Sequence, residues 1–346
     1  MPRVVIAIIM PNNGTRQYQE SANLSVRYMT QQTFYLDQKL NDFDEFCFNA
    51  RNWDLDYRQL ESGRFSSELL MIGNDTTIFT RAKLGRRILQ KGAPPQGLIT
   101  FGLLVDPIVN IYWRNIDVSG DKLFIFPPGG ELHSITQADF DVFVVSLTEQ
   151  KLNQVCASLE LPEFHCLIDR NEVFQCDSQM LSAFRHGLLS FERELTMSND
   201  LSSYSMQLEQ LEHELAERLI RIVAKSQHPI TRKPARKRDH ALKAAENFIH
   251  ESGNCVVTIP ELCDTCNVSE RTLEYAFRER YGMTPKAYTL IHRLNNVRKH
   301  LRAADPETNQ VSTIAQQHDF WHMGQFSSSY RKLFAERPSE TLKATA

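Results

Sequence analysis

The chain has 346 residues, 42% hydrophobic and 23% charged, a length that suits two globular domains and a composition able to fill a real core. Disorder throughout, a collagen-like fibre and a small disulfide scaffold are excluded, and seven cysteines scattered along the chain fit a reducing compartment better than a disulfide framework. The net charge of −3 hides a division: residues 232–346 carry 18 Lys and Arg against 13 Asp and Glu, a balance of +5, whereas residues 1–231 carry 21 against 29, a balance of −8.

In chain order, the apolar run from Val4 to Met10 is too short to span a bilayer and no small-residue cleavage site follows it. Neither a membrane anchor nor an export signal is expected, which places the protein in the cytoplasm with no membrane partner. From about Phe65 to Phe143 come short β-like runs: Leu69–Ile72, Leu98–Val105, Ile108–Trp113, Leu123–Phe126 and Val142–Val145. Turn signals such as Gly73-Asn74-Asp75, Asp106-Pro107 and Pro127-Pro128-Gly129-Gly130 separate them, and this spacing predicts a β-barrel or sandwich. Among the strand aromatics, Phe101, Tyr112, Trp113, Phe124 and Phe126 read first as core and second as the lining of an effector pocket. No effector-binding residue is singled out.

Met180–Leu195 and Leu201–Ala224 lack turn residues and read as two helices. In the second, Leu208, Leu211, Leu215, Leu219 and Ile222 make one apolar stripe, either a dimer seam or a cover for the barrel. A homodimer is the expectation. Between Lys225 and Lys243 lie seven basic residues and one acidic, with Pro229 and Pro234 opposing regular structure. Residues 226–239 therefore read as a basic linker, solvated or adding phosphate contacts through Arg232, Lys233, Arg236, Lys237 and Arg238. A cationic C-terminal region joined to an acidic remainder is the charge pattern of a nucleic-acid binder with a separate control module.

From His240 onward helical periodicity takes over. Leu273, Phe277, Tyr281 and Pro285 match Phe326, Tyr330, Phe334 and Pro338 at a constant offset of 53. Upstream, Glu261-Leu262-Cys263 matches Thr313-Ile314-Ala315 at 52, so the second copy holds one extra residue in its turn. Each copy reads as a short helix, a tight turn and a second helix, with Ser269 placed to cap the first copy's second helix. That is a helix-turn-helix, whose second helix fits the major groove of B-DNA. The helix from about Pro285 to Ala304 between the copies would be roughly 30 Å long. Such a strut would place both second helices in successive major grooves on one face of a duplex.

Residues 240–342 resemble the DNA-binding domain of the AraC/XylS family of bacterial transcription regulators, most of all the subgroup containing the ethanolamine-operon regulator. The resembling pieces are Val268-Ser269-Glu270-Arg271-Thr272-Leu273, Tyr281-Gly282-Met283-Thr284-Pro285, Arg293-Leu294-Asn295-Asn296-Val297-Arg298 and Asp319-Phe320-Trp321-His322-Met323-Gly324-Gln325-Phe326, with Tyr330, Phe334 and Pro338. The resemblance implies an α+β multidomain chain: an N-terminal cupin-like β-barrel with a helical hairpin, then an all-α domain of two helix-turn-helix motifs joined by a long helix. It divides the chain into an effector-binding and dimerisation domain over 1–225 (barrel about 60–150, helices about 178–225), the linker 226–239 and the DNA-binding domain 240–346. It places base-reading side chains at Arg271, Thr272, Glu274 and Tyr275 in the first copy. In the second they fall at Gly324, Gln325 and Ser328, with His322 and Ser327 nearby. Phosphate contacts fall at Arg278, Lys286, Arg331 and Lys332. Where the family often has an arginine, the second copy offers Gly324, Ser327 and Ser328, which predicts weaker base discrimination there.

Other chemistry fits less well. Cys263-Asp264-Thr265-Cys266 has redox or metal-site spacing but no second pair follows, so both thiols read as core. His318 and His322 stand at i and i+4, yet the turn between them should send the rings apart. His133 follows the Pro-Gly run where metal-binding cupins carry ligands, but alone it makes no set. No catalytic residues, metal or cofactor are expected. The reading is a sequence-specific DNA-binding regulator, an activator, controlled by a small-molecule effector or partner and working with double-stranded DNA and RNA polymerase. The competing reading is a cupin-type enzyme with an accessory DNA-binding domain.

Overall fold

The computed structural model describes residues 27–28, 33–50, 52–114, 116–126, 130–169, 171–197, 201–226, 228–229, 237–253 and 255–344. Strands β1 (Arg27–Tyr28) and β2 (Phe34–Leu40) lead to helix α1 (Phe43–Asn49), whose start is fixed by Asp42. Its side chain accepts from the amides of Asp44 and Glu45 at 2.8 and 3.2 Å, satisfying donors that a helix start leaves open. Then come β3 (Asp54–Gln59), β4 (Ser67–Gly73), β5 (Thr77–Leu84), β6 (Ile88–Ala93), β7 (Leu98–Leu104), β8 (Ile111–Trp113), β9 (Ile116–Val118), β10 (Lys122–Phe126), β11 (Leu132–Ile135) and β12 (Phe140–Thr148). Helices α2 (Glu149–Ser158) and α3 (Phe164–Ile168), strand β13 (Val173–Gln175), helices α4 (Ser178–Met197) and α5 (Leu201–Lys225) and strand β14 (His228–Pro229) complete this part.

Among the described residues the strands form two antiparallel sheets, in the orders β1-β2-β4-β5-β12-β7-β10-β13-β14 and β3-β6-β11-β8-β9. The period of two along each strand separates their faces. On β4, Leu69 and Met71 join the core between the sheets, while Leu70 and Ile72 join the outer core with α2 to α5. Because both faces are covered, β7 is buried at every position and reads as an apolar run broken only by Thr100. Strands β2 and β3 carry the sheets well upstream of the stretch that the sequence marks as barrel.

Two expectations change here. Leu208, Leu215, Leu219 and Ile222 of α5 are buried in the outer core of the large sheet, so these residues cover the barrel. The expected linker 226–239 is regular at both ends. His228 and Pro229 pair with Gln175 and Phe174 at a sheet edge, where proline's missing N–H costs nothing, and Lys237 already opens the next helix. Its Arg232, Lys233 and Arg236 lie outside the described residues, as does Val4 to Met10.

The C-terminal part is helical: α6 (Lys237–Glu251), α7 (Ile259–Cys266), α8 (Glu270–Tyr281), α9 (Pro285–Ala303), α10 (Val311–Gln317), α11 (Met323–Phe334) and α12 (Pro338–Lys343). It packs directly on the barrel. Leu60, Leu89 and Ile135 on the outside of the small sheet share one core with Leu242, Phe277 and Tyr281. At the other end Phe43 meets Phe334 with ring centroids 6.3 Å apart, tying the inter-sheet core to α9, α11 and α12.

Candidate nucleic-acid interface

The two copies are built alike down to single hydrogen bonds. In the first turn Asn267 adopts a left-handed conformation, its amide donates to the Asp264 carbonyl at 3.2 Å, and Val268 donates to Cys263 at 3.1 Å. Fifty-two residues on, Asp319 is left-handed, donates to Gln316 at 3.0 Å, and Phe320 donates to Ala315 at 3.0 Å. Asn and Asp visit that conformation more readily than other residues with a Cβ because their short polar side chains can hydrogen-bond locally. After the turn the correspondence shifts to 53: Leu273 donates to the Ser269 carbonyl and Phe326 to that of His322. The inserted residue is therefore Trp321, which is 67% exposed. Capping differs too: Ser269 accepts from the Thr272 amide at 3.3 Å, whereas the His322 side chain caps nothing.

One face of each second helix is core. Leu273, Ala276, Phe277 and Tyr281 are buried in α8, and Phe326, Tyr330, Leu333 and Phe334 in α11. The opposite faces carry the residues singled out from sequence. Arg271, Tyr275 and Arg278 are exposed on α8, with Thr272 and Glu274 half-buried; Gly324, Gln325, Ser327, Ser328, Arg331 and Lys332 are exposed on α11, with His322 just ahead of it. Lys286 is exposed at the start of α9. Among the described residues nothing stands within 4 Å of where a Cβ on Gly324, the position corresponding to Arg271, would point. Some of these groups have partners inside the protein. Thr272 and Ser269 hydroxyls lie 2.9 Å apart, Arg278 is 3.9 Å from Glu274, and the guanidinium of Arg238 sits 5.3 Å from the Tyr275 ring centre. Sequence reasoning passed over Trp321, although the change of offset from 52 to 53 was the signal for it.

Residues 262–344 match a helix-turn-helix domain family. Over 102 residues the chain is 31% identical to a probable thc operon regulatory protein of Rhodococcus erythropolis, covering 30% of this chain and 31% of that one. Over 114 residues it is 28% identical to the XylDLEGF operon transcriptional activator of Pseudomonas putida, covering 33% and 36%. In this domain the chain is similar to regulators of the AraC/XylS type. A solved structure of a probable AraC family transcriptional regulator from Rhodopseudomonas palustris is similar at 30% identity over 30% of this chain and 96% of that one, with a TM-score of 0.28. The matches span about a third of the length of the curated relatives.

The helix-turn-helix domain is held to the barrel by polar contacts at both copies. The first is held where Arg87 donates to the carbonyls of Tyr281 and Arg280 at 2.7 and 3.3 Å, and the Arg280 guanidinium lies 3.6 Å from the Tyr112 ring centre. Along α9, Asn295 accepts from the Gln59 amide at 2.9 Å and donates to its carbonyl at 3.0 Å, pairing a helix side chain with a strand backbone. Gln59 Nε2 also donates to Leu333 of α11 at 2.8 Å. Arg298 of α9 is enclosed by Asp42 and Asp44 of the α1 start and by Glu336, 3.2 Å away, with its guanidinium 4.2 Å from the Phe43 ring centre. Burial opposes that charge, but Asp42 and Asp44 outweigh it and hold the pKa of Arg298 above its ordinary value. Burial would likewise raise Asp42, and Arg298 with Arg302 outweighs it, so its carboxyl stays below the usual range.

The aromatics divide by strand position. Trp113, Phe124 and Phe126 line a cavity of about 60 Å³ between the sheets, together with Phe46 and Ala50 at α1. Phe101 faces the opposite way, 5.7 Å from Phe164, and Tyr112 faces Arg280. His133 stands 3.8 Å from Glu246, which also accepts from the Tyr281 hydroxyl at 2.6 Å. His318 is buried with Nε2 3.2 Å from Nδ1 of His300, while His322 is exposed. Cys263 and Cys266 are half-buried rather than fully enclosed.

Proposed function

We propose that this chain is a sequence-specific DNA-binding transcription regulator, an activator of the AraC/XylS type, acting in the bacterial cytoplasm and not as an enzyme. Residues 240–346 would bind DNA, 226–239 join the parts, and 1–225 receive the signal and form a homodimer. The observation that carries the reading is the pairing of outward faces: the two second helices bury equivalent apolar residues and leave equivalent positions to solvent. On α8, Arg271 would fork onto guanine, with Thr272, Glu274 and Tyr275 beside it; on α11, Gln325 would pair with adenine, with His322, Ser327 and Ser328 beside it. Arg278, Lys286, Arg331 and Lys332 would hold phosphates. RNA polymerase is the protein partner that activation requires.

The control route runs through α1. Phe46 borders the barrel cavity, while Asp42 and Asp44 at the start of the same helix hold Arg298 of the strut between the copies. A small molecule that fills the cavity displaces one face of α1 and so biases the grip on α9. The test is selection of duplexes from a random pool by the full chain, followed by a salt titration. A recovered motif with two half-sites and an affinity that falls steeply with salt is the expected result. Recovery of no motif contradicts the reading.

A further inference from the structure

The barrel cavity has a chemistry of its own. None of the described residues that line it is Asp, Glu, Lys, Arg or His. Most of its wall is aliphatic or aromatic, but three of its lining residues carry a buried polar atom with no hydrogen-bond partner among the described residues: Trp113 Nε1, Ser134 Oγ and Thr80 Oγ1. Trp113 is 1% exposed, Ser134 2% and Thr80 5%, so bulk water does not satisfy them. The other polar pair at the cavity is already matched, with Gln90 Nε2 donating to the Tyr57 hydroxyl at 2.8 Å. Buried polar groups are normally paired, and leaving one unpaired costs as much as a lost hydrogen bond.

We infer that the cavity takes a small, neutral, mainly apolar molecule that presents a hydrogen-bond acceptor, of the ketone, aldehyde or ester kind. The inference rests on the reading of the barrel as the signal-receiving part. An indole N–H only donates, so the ligand must supply an acceptor there, while the Ser134 and Thr80 hydroxyls can give or take a hydrogen. A carboxylate or ammonium ligand would shed its water and find no counter-charge among these walls, which is prohibitive in so apolar a site. About 60 Å³ is less than half of the roughly 150 Å³ that takes benzene, so an occupant of about half a dozen heavy atoms enters only as the flexible Met71 beside it yields.

Two probes of equal shape separate the cases: 3-methyl-2-butanone, and isobutyrate, in which an oxygen anion replaces the ketone's methyl group. The full chain is labelled at its indole nitrogens. With Trp53 and Trp113 at the cavity and Trp321 on the outer surface, its three indole N–H signals are assigned with Trp53→Phe, Trp113→Phe and Trp321→Phe variants. Expected is a saturable shift of the Trp113 signal by the ketone, with a dissociation constant on the order of millimolar for so few atoms, and no shift of the Trp321 signal. Isobutyrate should leave Trp113 unmoved, and Ala82→Leu, which fills the cavity, should weaken the ketone response at least tenfold. If Trp113 does not respond up to the ketone's solubility limit, the space holds water only and the inference fails. An equal response to isobutyrate, or one that Ala82→Leu leaves intact, overturns it as well. DNA selection is read separately, so a chain that binds its operator but not the ketone sinks this inference alone. One that binds the ketone but no DNA sinks the regulator reading.

Discussion

Arg298, in the C-terminal half of the helix that joins the two helix-turn-helix units, is ion-paired with Asp42, the residue that caps the first helix of the barrel part. One side chain therefore connects the strut between the recognition helices to the wall of the cavity. Because Asp42 also accepts amide hydrogens of α1 with its other oxygen, disturbing the pair loosens a helix start as well as a contact.

Replacing Arg298 by Met leaves Asp42, Asp44 and Glu336 clustered without their cation. Breaking a buried pair costs several kcal/mol, and the partial exposure of Asp44 and Glu336 moderates this, so Arg298→Met should lower stability by about 2–4 kcal/mol. Chemical denaturation measures it, and adding Asp42→Asn should recover part of the loss in a double-mutant cycle.

The repeat predicts opposite effects at two equivalent caps. Gly282 ends α8 at φ 66° and Ala335 ends α11 at φ 57°, both left-handed, and only glycine takes that conformation without penalty. Ala335→Gly should stabilise the protein by roughly 0.5–1 kcal/mol once the greater freedom of glycine in the unfolded chain is subtracted. Gly282→Ala should destabilise it by a similar amount, and the difference in melting temperature between the two variants checks both signs.

Acid should weaken the packing around α9. Burial, then Arg58, holds His292 at a pKa of about 2, with His250 and Lys91 adding to the same effect. Burial, then His300, holds His318 at about 4, with Arg293 reinforcing this and Asp319 opposing it. Both stay neutral in the fold while the unfolded chain takes up protons below its ordinary value of 6.5, so their contribution is complete above that pH and falls away toward 4 and below. The melting temperature should decline between pH 7.5 and 5, and His292→Phe should flatten the decline.

Trp321 should report DNA directly. It stands exposed at the start of the second recognition helix, whereas Trp53 and Trp113 line the cavity. In a Trp53→Phe, Trp113→Phe background the remaining emission should be quenched saturably by a selected duplex. Quenching by unrelated DNA at matched concentration should be much weaker. An unchanged spectrum at saturation would remove Trp321 from the interface.

Much of this architecture is legible in the sequence where a single periodicity acts alone. Leu273, Phe277 and Tyr281 repeat at helical spacing and recur 53 residues later, so the double motif stands out without coordinates. Strands β5 and β6 do not, because Arg81, Lys83, Gln90 and Lys91 interrupt their apolar pattern, and what they pair with is visible only in three dimensions: Arg81 with Asp141, Lys83 with Glu68, Gln90 with Tyr57. The leucine stripe of α5 is ambiguous for the opposite reason, since a helix that covers a sheet and one that meets a second copy need the same spacing. Nor does any local pattern link Asp42 to Arg298, which are 256 residues apart.

Hydroxyl-radical footprinting of the full chain on a selected duplex, repeated with Arg271→Ala and Gln325→Ala, decides whether both second helices read DNA. Two protected segments are expected on one face of the duplex, about one helical turn apart. Arg271→Ala should weaken binding by about 1–3 kcal/mol and relax the sequence preference in one segment, and Gln325→Ala should do so more mildly in the other. A single protected segment, or a footprint and preference untouched by Arg271→Ala, would contradict it.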